Sequence, residues 1–430
     1  MGAIGFAKAP ICSPRLTAVI VNLPSCIFFI LLSFSLFRFL FYALPVPPLP
    51  PVLIFPAVAV SGKAVNPASS KETLTCDYSK GKWLPDSRSP LYNDSCSTIK
   101  HGRNCTSNGR ADTDYLYWRW KPDGCSIPRF EPEKLLHMLE NKHLAFVGDS
   151  MARNQLESLI CMLATASTPD LLFKSGDDDQ FRRWLFASHN LTVSLYWSPF
   201  LVKGVEKSKS DPNNKLYLDY IDEKWASEMA SFDVVVLSAG HWYLIPGVYY
   251  EGDDRVLGCH ICSGLNATEV GFYDALRKAL QTSLATIKSR RRDSRRLQVI
   301  LITFPAAHFE GDWDKFGACP KTKPFQEGEK DLDSFLTTMK QIVVDEIEAI
   351  KPHLHGTNIV ADALDVTKLS LMRPDGHPGP YVQPFPFKDG VKDRLQNDCS
   401  HWCLPGPIDT WNEILLELVS KHRSYGGQMS

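Results

Sequence analysis

The sequence lacks an excess of charge of either sign: 47 Lys and Arg residues stand against 48 Asp and Glu residues in a chain of 430, and the net charge is −1. Such a chain has no overall field that would draw it to nucleic acid or to an anionic membrane surface. One basic run, Lys288-Ser-Arg-Arg-Arg-Asp-Ser-Arg-Arg296, stands out. A solvated loop is the favoured interpretation of this run, with an anion-binding site as the alternative.

A complete metal-binding pattern is also missing. Cys259-His-Ile-Cys262 has zinc-like spacing, but no second CxxC pair or HxxxH partner completes a site, so no metal is predicted. Ten of the twelve cysteines follow residue 75. This even number favours disulfides formed in an oxidising lumen. Four possible N-glycosylation sites agree with that compartment: Asn93, Asn104, Asn190 and Asn266.

Acidic residues are absent before Glu72, whereas Lys8 and Arg15 precede an uncharged apolar stretch over residues 16–37. A stretch of about 20 such residues spans the hydrocarbon of a bilayer. The basic flank predicts a single-pass type II signal anchor with residues 1–15 as a cytosolic tail. A cleaved signal peptide is the competing interpretation. Residues 38–73, rich in proline at 45–51, are typical of a stalk.

The composition and the predicted secondary structure of the remaining chain change near residue 130. Residues 76–130 are rich in Cys, Trp and Tyr, and strands alternate with long helices after them. Buried strands are predicted over 143–148, 232–239, 297–304 and 358–363, and helices over 151–163, 271–289, 331–350 and 407–420. This alternation favours an α/β fold with a doubly wound, mostly parallel sheet and helices on both faces.

The strongest local motif is Phe146-Val-Gly-Asp-Ser150, where a predicted strand ends and a helix begins. Sites in open parallel sheets form at the carboxyl ends of the strands. A serine hydroxyl there lies beside helix N–H groups that can stabilise an oxyanion. The alternative is a simple helix cap, since Asp and Ser are both good N-cap residues.

A nucleophilic serine needs a base and a group that orients the base. Asp398-Cys-Ser-His401 supplies both in one short segment, which Cys399 and Cys403 could clamp through disulfides. Asp375-Gly-His377 is a second candidate pair, although its Pro- and Gly-rich surroundings are more typical of a shaped substrate loop. The sequence therefore predicts Ser150, His401 and Asp398 as a catalytic triad.

The motifs together resemble the plant trichome birefringence-like proteins, within the wider GDSL/SGNH hydrolase-like group. The resemblance covers about residues 74–420. Besides the two motifs above it includes Cys76-Asp-Tyr, Gly81-Lys-Trp83, Arg110-Ala-Asp112, Trp118-Arg-Trp-Lys-Pro122, Gly148-Asp-Ser-Met-Ala-Arg-Asn-Gln155, His308-Phe-Glu310 and Asp398-Cys-Ser-His-Trp-Cys-Leu-Pro-Gly406, in the family's order.

The resemblance implies a Golgi membrane protein whose lumenal part transfers acetyl groups to hydroxyls of cell-wall polysaccharides. It implies a family-specific N-terminal domain over 74–130, packed on an esterase-like α/β domain over 131–425. Glucomannan is the expected acceptor, with xyloglucan or xylan as alternatives. No bound cofactor is expected. The acetyl donor, acetyl-CoA or a donor-supplying membrane protein, stays open, and no Gly-rich phosphate loop indicates coenzyme A.

Two further groups of residues are expected to assist. The GxND oxyanion block of bacterial relatives has no evident copy, so support for the oxyanion is expected from Gly148, Asp149, Arg153 and Asn154, together with the Ser150 amide. Aromatic faces suit sugar rings, which makes Trp118, Trp120, His241, Trp242 and Trp402 candidates for acceptor binding. Two other functions remain open: a polysaccharide acetylesterase with the same triad, and a non-enzymatic protein that bridges wall polymers.

Overall fold

The computed structural model describes residues 76–176, 180–262 and 264–424. The predicted tail, anchor and stalk lie outside these residues. Within the described ranges, no helix is both long and apolar enough to cross a membrane.

The centre of the fold is a seven-stranded sheet in the order β13-β12-β9-β3-β6-β5-β4. Five neighbouring strands, β13 to β6, pair in parallel, and β5 and β4 add an antiparallel edge. The mostly parallel sheet is therefore confirmed. Its strands are β3 (His143–Gly148), β4 (Asp170–Ser175), β5 (Phe181–Phe186), β6 (Leu191–Trp197), β9 (Val234–Ser238), β12 (Leu297–Ile302) and β13 (Ile359–Leu364).

Helices cover both faces of this sheet, as expected. Leu144 and Phe146 of β3 point to one face, and Ala145 and Val147 point to the other, because side chains alternate along a strand. On the first face lie α1 (Pro132–Met138), α2 (Ser150–Leu163) and α7 (Asp409–Ser424), and on the second lie α4 (Tyr273–Arg290) and α5 (Ser334–Ile350). Two short helices, α3 (Glu223–Ala226) and α6 (Thr367–Leu371), complete the set of α-helices in the described residues, which also contain short 3-10 helices.

Two smaller sheets flank the central one. A four-stranded sheet in the order β11-β10-β8-β7 consists of β7 (Val202–Val205), β8 (Asn214–Ile221), β10 (Gly247–Glu251) and β11 (Arg255–His260). The Cys- and Trp-rich segment contributes a two-stranded sheet of β1 (Gly81–Pro85) and β2 (Trp118–Pro122). This segment packs into the same core as α2 and α7, through Trp83, Tyr92 and Trp120.

All ten cysteines beyond residue 75 form disulfides, which confirms that prediction. The pairs are Cys76–Cys125, Cys96–Cys161, Cys105–Cys403, Cys259–Cys262 and Cys319–Cys399. Two of them join residues 76–130 to the rest of the fold, at α2 and at Cys403. The Cys259–Cys262 bond shows that this spacing belongs to a local disulfide and not to a zinc site.

Candidate active site

The turn from β3 into α2 brings the chain very close to the neighbouring strand β9. A Cβ atom on Gly148 would lie 1.9 Å from the Ser238 carbonyl oxygen, and Gly148 has a φ of +151°. Only glycine fits there, since any side chain would collide with backbone. Asp149 then caps α2 by accepting a hydrogen bond from the Met151 N–H at 3.0 Å. Ser150 is thereby placed as the first residue of the helix, at the carboxyl end of the central strand.

The three residues of the predicted triad lie in one hydrogen-bonded row. His401 Nε2 is 2.7 Å from Ser150 Oγ, and His401 Nδ1 is 2.7 Å from Asp398 Oδ2. Both distances fall within the range expected for a nucleophile, its base and the group that orients the base. The structure therefore brings together side chains that are 251 residues apart in the sequence. We call this arrangement the Ser–His–Asp row.

The electrostatics of Asp398 suit an orienting carboxylate. Burial by itself would raise its pKa, but the charge of His401 and hydrogen bonds from its ring and backbone N–H hold the pKa of Asp398 well below the usual range. The second carboxylate oxygen accepts the N–H groups of Ser400 and His401, at 3.0 and 2.9 Å. Asp398 is therefore ionised and fixed, which holds the imidazole with Nδ1–H towards the carboxylate.

The loop that carries the base, residues 398–403, is held on several sides. Its disulfides run from Cys399 to Cys319 and from Cys403 to Cys105. Gly379 exchanges two backbone hydrogen bonds with Asp398, at 2.8 and 3.0 Å. The predicted clamping by Cys399 and Cys403 is confirmed, and it leaves the base little freedom to move.

The expected oxyanion residues have different surroundings. The Asn154 carboxamide bonds both the N–H and the C=O of Trp402, at 2.8 and 3.2 Å, so its Nδ2 is directed at this backbone and not at an acyl group. Arg153 is buried, with its guanidinium 4.9 Å from the centre of the Trp197 ring. The Ser150 N–H remains a candidate oxyanion donor, because it lies at the start of α2 and the first N–H groups of a helix have no intrahelical partner.

Asp149 is fully buried between α2 and the turn after β9. Burial raises its pKa to about 7, although hydrogen bonds from the backbone N–H groups of Met151, His241 and Ala152 oppose that rise. Its role in the structure is to cap the helix that begins with Ser150.

The predicted substrate-binding aromatics divide into two groups. Trp120 and Trp402 are 3% and 0% exposed and belong to the core, so their assignment as substrate-binding residues is wrong. Trp118 is half-buried and lines a small cavity whose walls include Arg88 and Glu413 and none of the Ser–His–Asp row, which also argues against that assignment. An indole is a large apolar group, and core packing competes with sugar binding for it.

His241 and Trp242 lie closer to the row. Burial and the charge of His401 lower the pKa of His241 to about 3, so its ring is neutral. The ring stacks on Phe304 at 4.4 Å, and its buried Nε2 has no hydrogen-bond partner among the described residues. Trp242 is half-buried and packs edge-on against Trp197 and Phe200. These two residues remain candidates for lining the site.

The segment of the second candidate pair, Asp375 and His377, supports the 398–403 loop. Asp375 is fully buried and pairs with Arg373 at 2.8 Å, not with His377. His377 Nδ1 is 2.6 Å from the backbone carbonyl oxygen of His401, and Cys403 N–H donates to Gly376 O. Residues 373–379 therefore hold the 398–403 loop, and they form neither a triad base nor a substrate loop.

Sequence reasoning missed three exposed aromatics beside the 398–403 loop: Phe309 (42% exposed), Trp313 (57%) and Phe316 (62%). The Trp313 carbonyl accepts the Asn397 backbone N–H at 3.0 Å and its Nδ2 at 3.1 Å. This ties the segment to the residue that precedes Asp398. The available signal was three aromatic residues in a Gly- and Asp-rich stretch that has no helical or strand periodicity.

Asn93, Asn190 and Asn266 are exposed, and Asn104 is half-buried with Nδ2 donating to the Asp94 carbonyl at 2.7 Å. Glycosylation at these sites stays a prediction. Among the described residues one group has the composition of a metal site: the ligand atoms of Glu133, His137 and His189 lie within 4.8 Å of one another at the surface. None of the three belongs to the Ser–His–Asp row.

Comparison with known proteins agrees with this architecture. Residues 127–418 match the GDSL/SGNH-like acyl-esterase family found in Pmr5 and Cas1p, and residues 74–126 match the PMR5 N-terminal domain. The chain is 58% identical to xyloglucan O-acetyltransferase 1 of Populus trichocarpa, with 92% of each chain covered. It is 53% identical to xyloglucan O-acetyltransferase 1 of Arabidopsis thaliana, with 80% of each covered.

A third relative, protein trichome birefringence-like 25 of Arabidopsis thaliana, is 38% identical over 93% of this chain and 92% of its own. The Gly148 turn, the Ser–His–Asp row and the matched N-terminal domain thus occur together in a chain aligned with these relatives over most of its length. The chain belongs to the trichome birefringence-like family of GDSL/SGNH-like proteins.

Proposed function

We propose that the protein is a xyloglucan O-acetyltransferase that works through an acetyl-serine intermediate on Ser150. The observation that carries this proposal is the Ser–His–Asp row, found in a chain 58% and 53% identical to two proteins named xyloglucan O-acetyltransferases.

The first half-reaction follows from the distances in the row. Ser150 Oγ transfers its proton to His401 Nε2 and attacks the carbonyl carbon of the acetyl donor, forming a C–O bond. The carbonyl oxygen becomes an oxyanion close to the start of α2, where backbone N–H groups and the helix dipole favour negative charge. The oxyanion then collapses and the leaving group departs with the proton held by His401. Asp398 stabilises the imidazolium throughout.

The second half-reaction uses the same groups in reverse order. A sugar hydroxyl gives its proton to His401 Nε2 and attacks the acetyl carbon, the bond to Ser150 Oγ breaks, and Oγ regains the proton. Transfer must outcompete hydrolysis, which requires an acceptor held in place while water is limited. Trp313, Phe309 and Phe316 offer exposed faces for sugar rings beside the loop that carries Asp398 and His401.

Xyloglucan replaces glucomannan as the proposed acceptor. The expected preference for glucomannan is not supported, since the two relatives with the highest identities quoted above, 58% and 53%, are both named xyloglucan O-acetyltransferase 1. The proposal keeps a Golgi location, a type II anchor over residues 16–37 and an unidentified acetyl donor.

The test uses the protein with its disulfides intact, an acetyl donor, and matched oligosaccharides of xyloglucan, glucomannan and xylan. Mass spectrometry identifies acetylated products, with Ser150→Ala as the matched control. The proposal predicts Ser150-dependent acetylation of xyloglucan oligosaccharides above the other two. Acetylation of glucomannan oligosaccharides alone would contradict the proposal that xyloglucan is the acceptor.

The same assay separates the two other functions. The family description names acyl-esterases, which gives the acetylesterase a specific basis. Free acetate released from an acetylated polymer, with no acetylated oligosaccharide formed, would establish the esterase. Oligosaccharide binding that survives Ser150→Ala, with no turnover by the unmodified protein, would establish the bridging protein.

A further inference from the structure

Two histidines, His377 buried and His308 half-buried, link the Ser–His–Asp row to the rest of the fold. His308 and His377 form a chain of three short contacts: His308 Nε2 to the Leu371 carbonyl oxygen at 2.8 Å, His308 Nδ1 to His377 Nε2 at 2.7 Å, and His377 Nδ1 to the His401 carbonyl oxygen at 2.6 Å. All four ring nitrogens are therefore engaged. The far end of the chain is the backbone of His401, the residue that contacts Ser150.

The number of N–H protons on the two rings follows from the atoms that their nitrogens contact. Both ends of the chain are carbonyl oxygens, which only accept, so each end needs an N–H from a ring. A neutral imidazole carries one N–H. Two neutral rings can therefore supply the two ends, and the N···N contact between them would then join two acceptors. A third proton, placed between His308 Nδ1 and His377 Nε2, completes all three contacts.

We propose that His308 and His377 bind one proton beyond those of two neutral rings, and that His377 in this pair is a positioning residue that fixes His401 through its carbonyl oxygen. The role in catalysis rests on the proposed function, whereas the proton count does not. Neither histidine touches the reacting atoms.

The packing of His377 supports a positioning role. Its ring stacks on Trp402, with centroids 4.2 Å apart, and its own carbonyl oxygen accepts an N–H of Arg110 at 2.8 Å. Trp402 follows His401 directly, and Asn154 bonds its backbone N–H and C=O. Among the described residues, three side chains thus bond the backbone of residues 401 and 402: His377, Asn154 and Asp398, which accepts the His401 N–H.

The charges that face the pair come from five segments. Glu310 lies on the same segment as His308, Lys330 precedes α5, and Asp375 is paired with Arg373 on the segment of His377. Asp398 and His401 face the pair from the 398–403 loop, and Arg110 reaches it from the N-terminal segment. Burial lowers the pKa of both histidines, so the extra proton is bound on the acid side of neutrality and lost as the pH rises.

The direct test counts N–H groups by NMR in protein labelled with ¹⁵N-histidine, titrated over about pH 5 to 8. His308→Gln and His377→Phe assign the two rings, and His355→Gln, an exposed histidine outside the pair, is the control. The proposal predicts three N–H groups on the pair at the acid end and two at the alkaline end. Two N–H groups at every pH would overturn it, whatever the enzyme does.

The kinetic test follows the transfer reaction in the same variants. His377→Phe keeps a ring against Trp402 but loses the donor to the His401 carbonyl, and kcat should fall about tenfold to a hundredfold with little change in KM for the glycan. Release of the pair's proton leaves His308 Nδ1 and His377 Nε2 as two facing acceptors, which should displace His377 and lower kcat as the pH rises. His308→Gln offers a carboxamide N–H that does not titrate, so this pH-dependent loss of kcat should disappear. Unmodified protein and His308→Gln with superimposable pH profiles would overturn the positioning role.

Discussion

The side chain of Asn154 bonds both the N–H and the C=O of Trp402, at 2.8 and 3.2 Å. Asn154 lies one turn after Ser150 on α2, and Trp402 directly follows His401. One helix therefore carries the proposed nucleophile and also anchors the loop of the proposed base. The distance between Ser150 Oγ and His401 Nε2 depends on this short connection and not on the 251 residues between them.

Asn154→Leu should weaken the contact between Ser150 on α2 and His401 on the 398–403 loop. The change leaves the buried N–H and C=O of Trp402 without their partner, which costs about 1–3 kcal/mol for each buried group. A small displacement of His401 lowers kcat by up to about a hundredfold. Thermal unfolding and kcat measure the two effects. Equal kcat in Asn154→Leu and the unmodified protein would contradict the role of this anchor.

Removal of the Cys319–Cys399 disulfide, by changing both residues to Ser, should lower both stability and kcat. The bond closes a loop with a sequence separation of 80 and ends inside the 398–403 loop. Loss of a native disulfide costs about 2–5 kcal/mol. The matched control changes both Cys259 and Cys262, whose bond spans a separation of only three. Differential scanning calorimetry and turnover should show a large effect for the first pair and a small effect for the second.

Trp313→Ala should weaken binding of the polysaccharide and spare the chemistry. An exposed indole face stacks on sugar rings, and a small acetyl ester makes no such contact. We expect KM for xyloglucan oligosaccharides to rise about tenfold, the range of a single stacking contact of about 1–3 kcal/mol as measured for bases on aromatic rings, with hydrolysis of a small acetyl ester unchanged.

The KM of Trp313→Phe, which keeps a smaller ring, should lie between the KM values of Trp313→Ala and the unmodified protein. Phe173→Ala removes a similarly exposed aromatic, 52% against 57%, from the edge strand β4 and serves as the control. Equal KM values for Trp313→Ala and the unmodified protein would remove Trp313 from the acceptor site.

Asp149 makes the stability of the fold depend on pH. Its pKa is raised from 3.8 to about 7 by burial. The folded state therefore binds a proton more tightly than the unfolded state, and this contribution is complete below about pH 4 and is lost as the pH rises to about 7. Asp149→Asn removes the charge and keeps a capping oxygen for Met151. The Tm of the variant should exceed that of the unmodified protein at pH 8 and approach it at pH 5, and the opposite order would contradict the burial argument.

The central part of the fold could be predicted from local patterns. The strand expected over 143–148 is β3 with the same bounds, and the helices expected over 331–350 and 407–420 are α5 and α7, shifted by up to four residues. Continuous apolar runs predict these strands because both faces of a parallel sheet are buried. Strong periodicity predicts the helices for a similar reason.

The edge strands β4 and β7, which pair antiparallel with β5 and β8, were missed because their pattern is weak. All six residues of β4 are exposed, and β7 alternates irregularly, so neither gives the apolar run of a buried strand. Their formation depends on pairing with β5 and β8, which is a tertiary effect that local propensity does not register.

The site was predictable where chemistry requires specific residues. Ser150, His401 and Asp398 follow from the need for a nucleophile, a base and an orienting group. The supporting roles of Asn154, His308 and His377 do not follow from the sequence, because these side chains act through backbone atoms that only the fold brings close. Trp402 illustrates the opposite error. Its position beside His401 indicated a sugar-binding residue, whereas its side chain is 0% exposed and belongs to the core.

The central claim is that Ser150 carries the acetyl group during transfer. The measurement is a rapid-quench experiment with an acetyl donor, followed by peptide mass spectrometry, first without acceptor and then with xyloglucan oligosaccharide. We expect one acetyl group to accumulate on the peptide that contains Ser150, to disappear when the oligosaccharide is added, and to reappear on the sugar. Acetylated sugar formed by Ser150→Ala at the rate of the unmodified protein, with no acetylated peptide at any time, would contradict it.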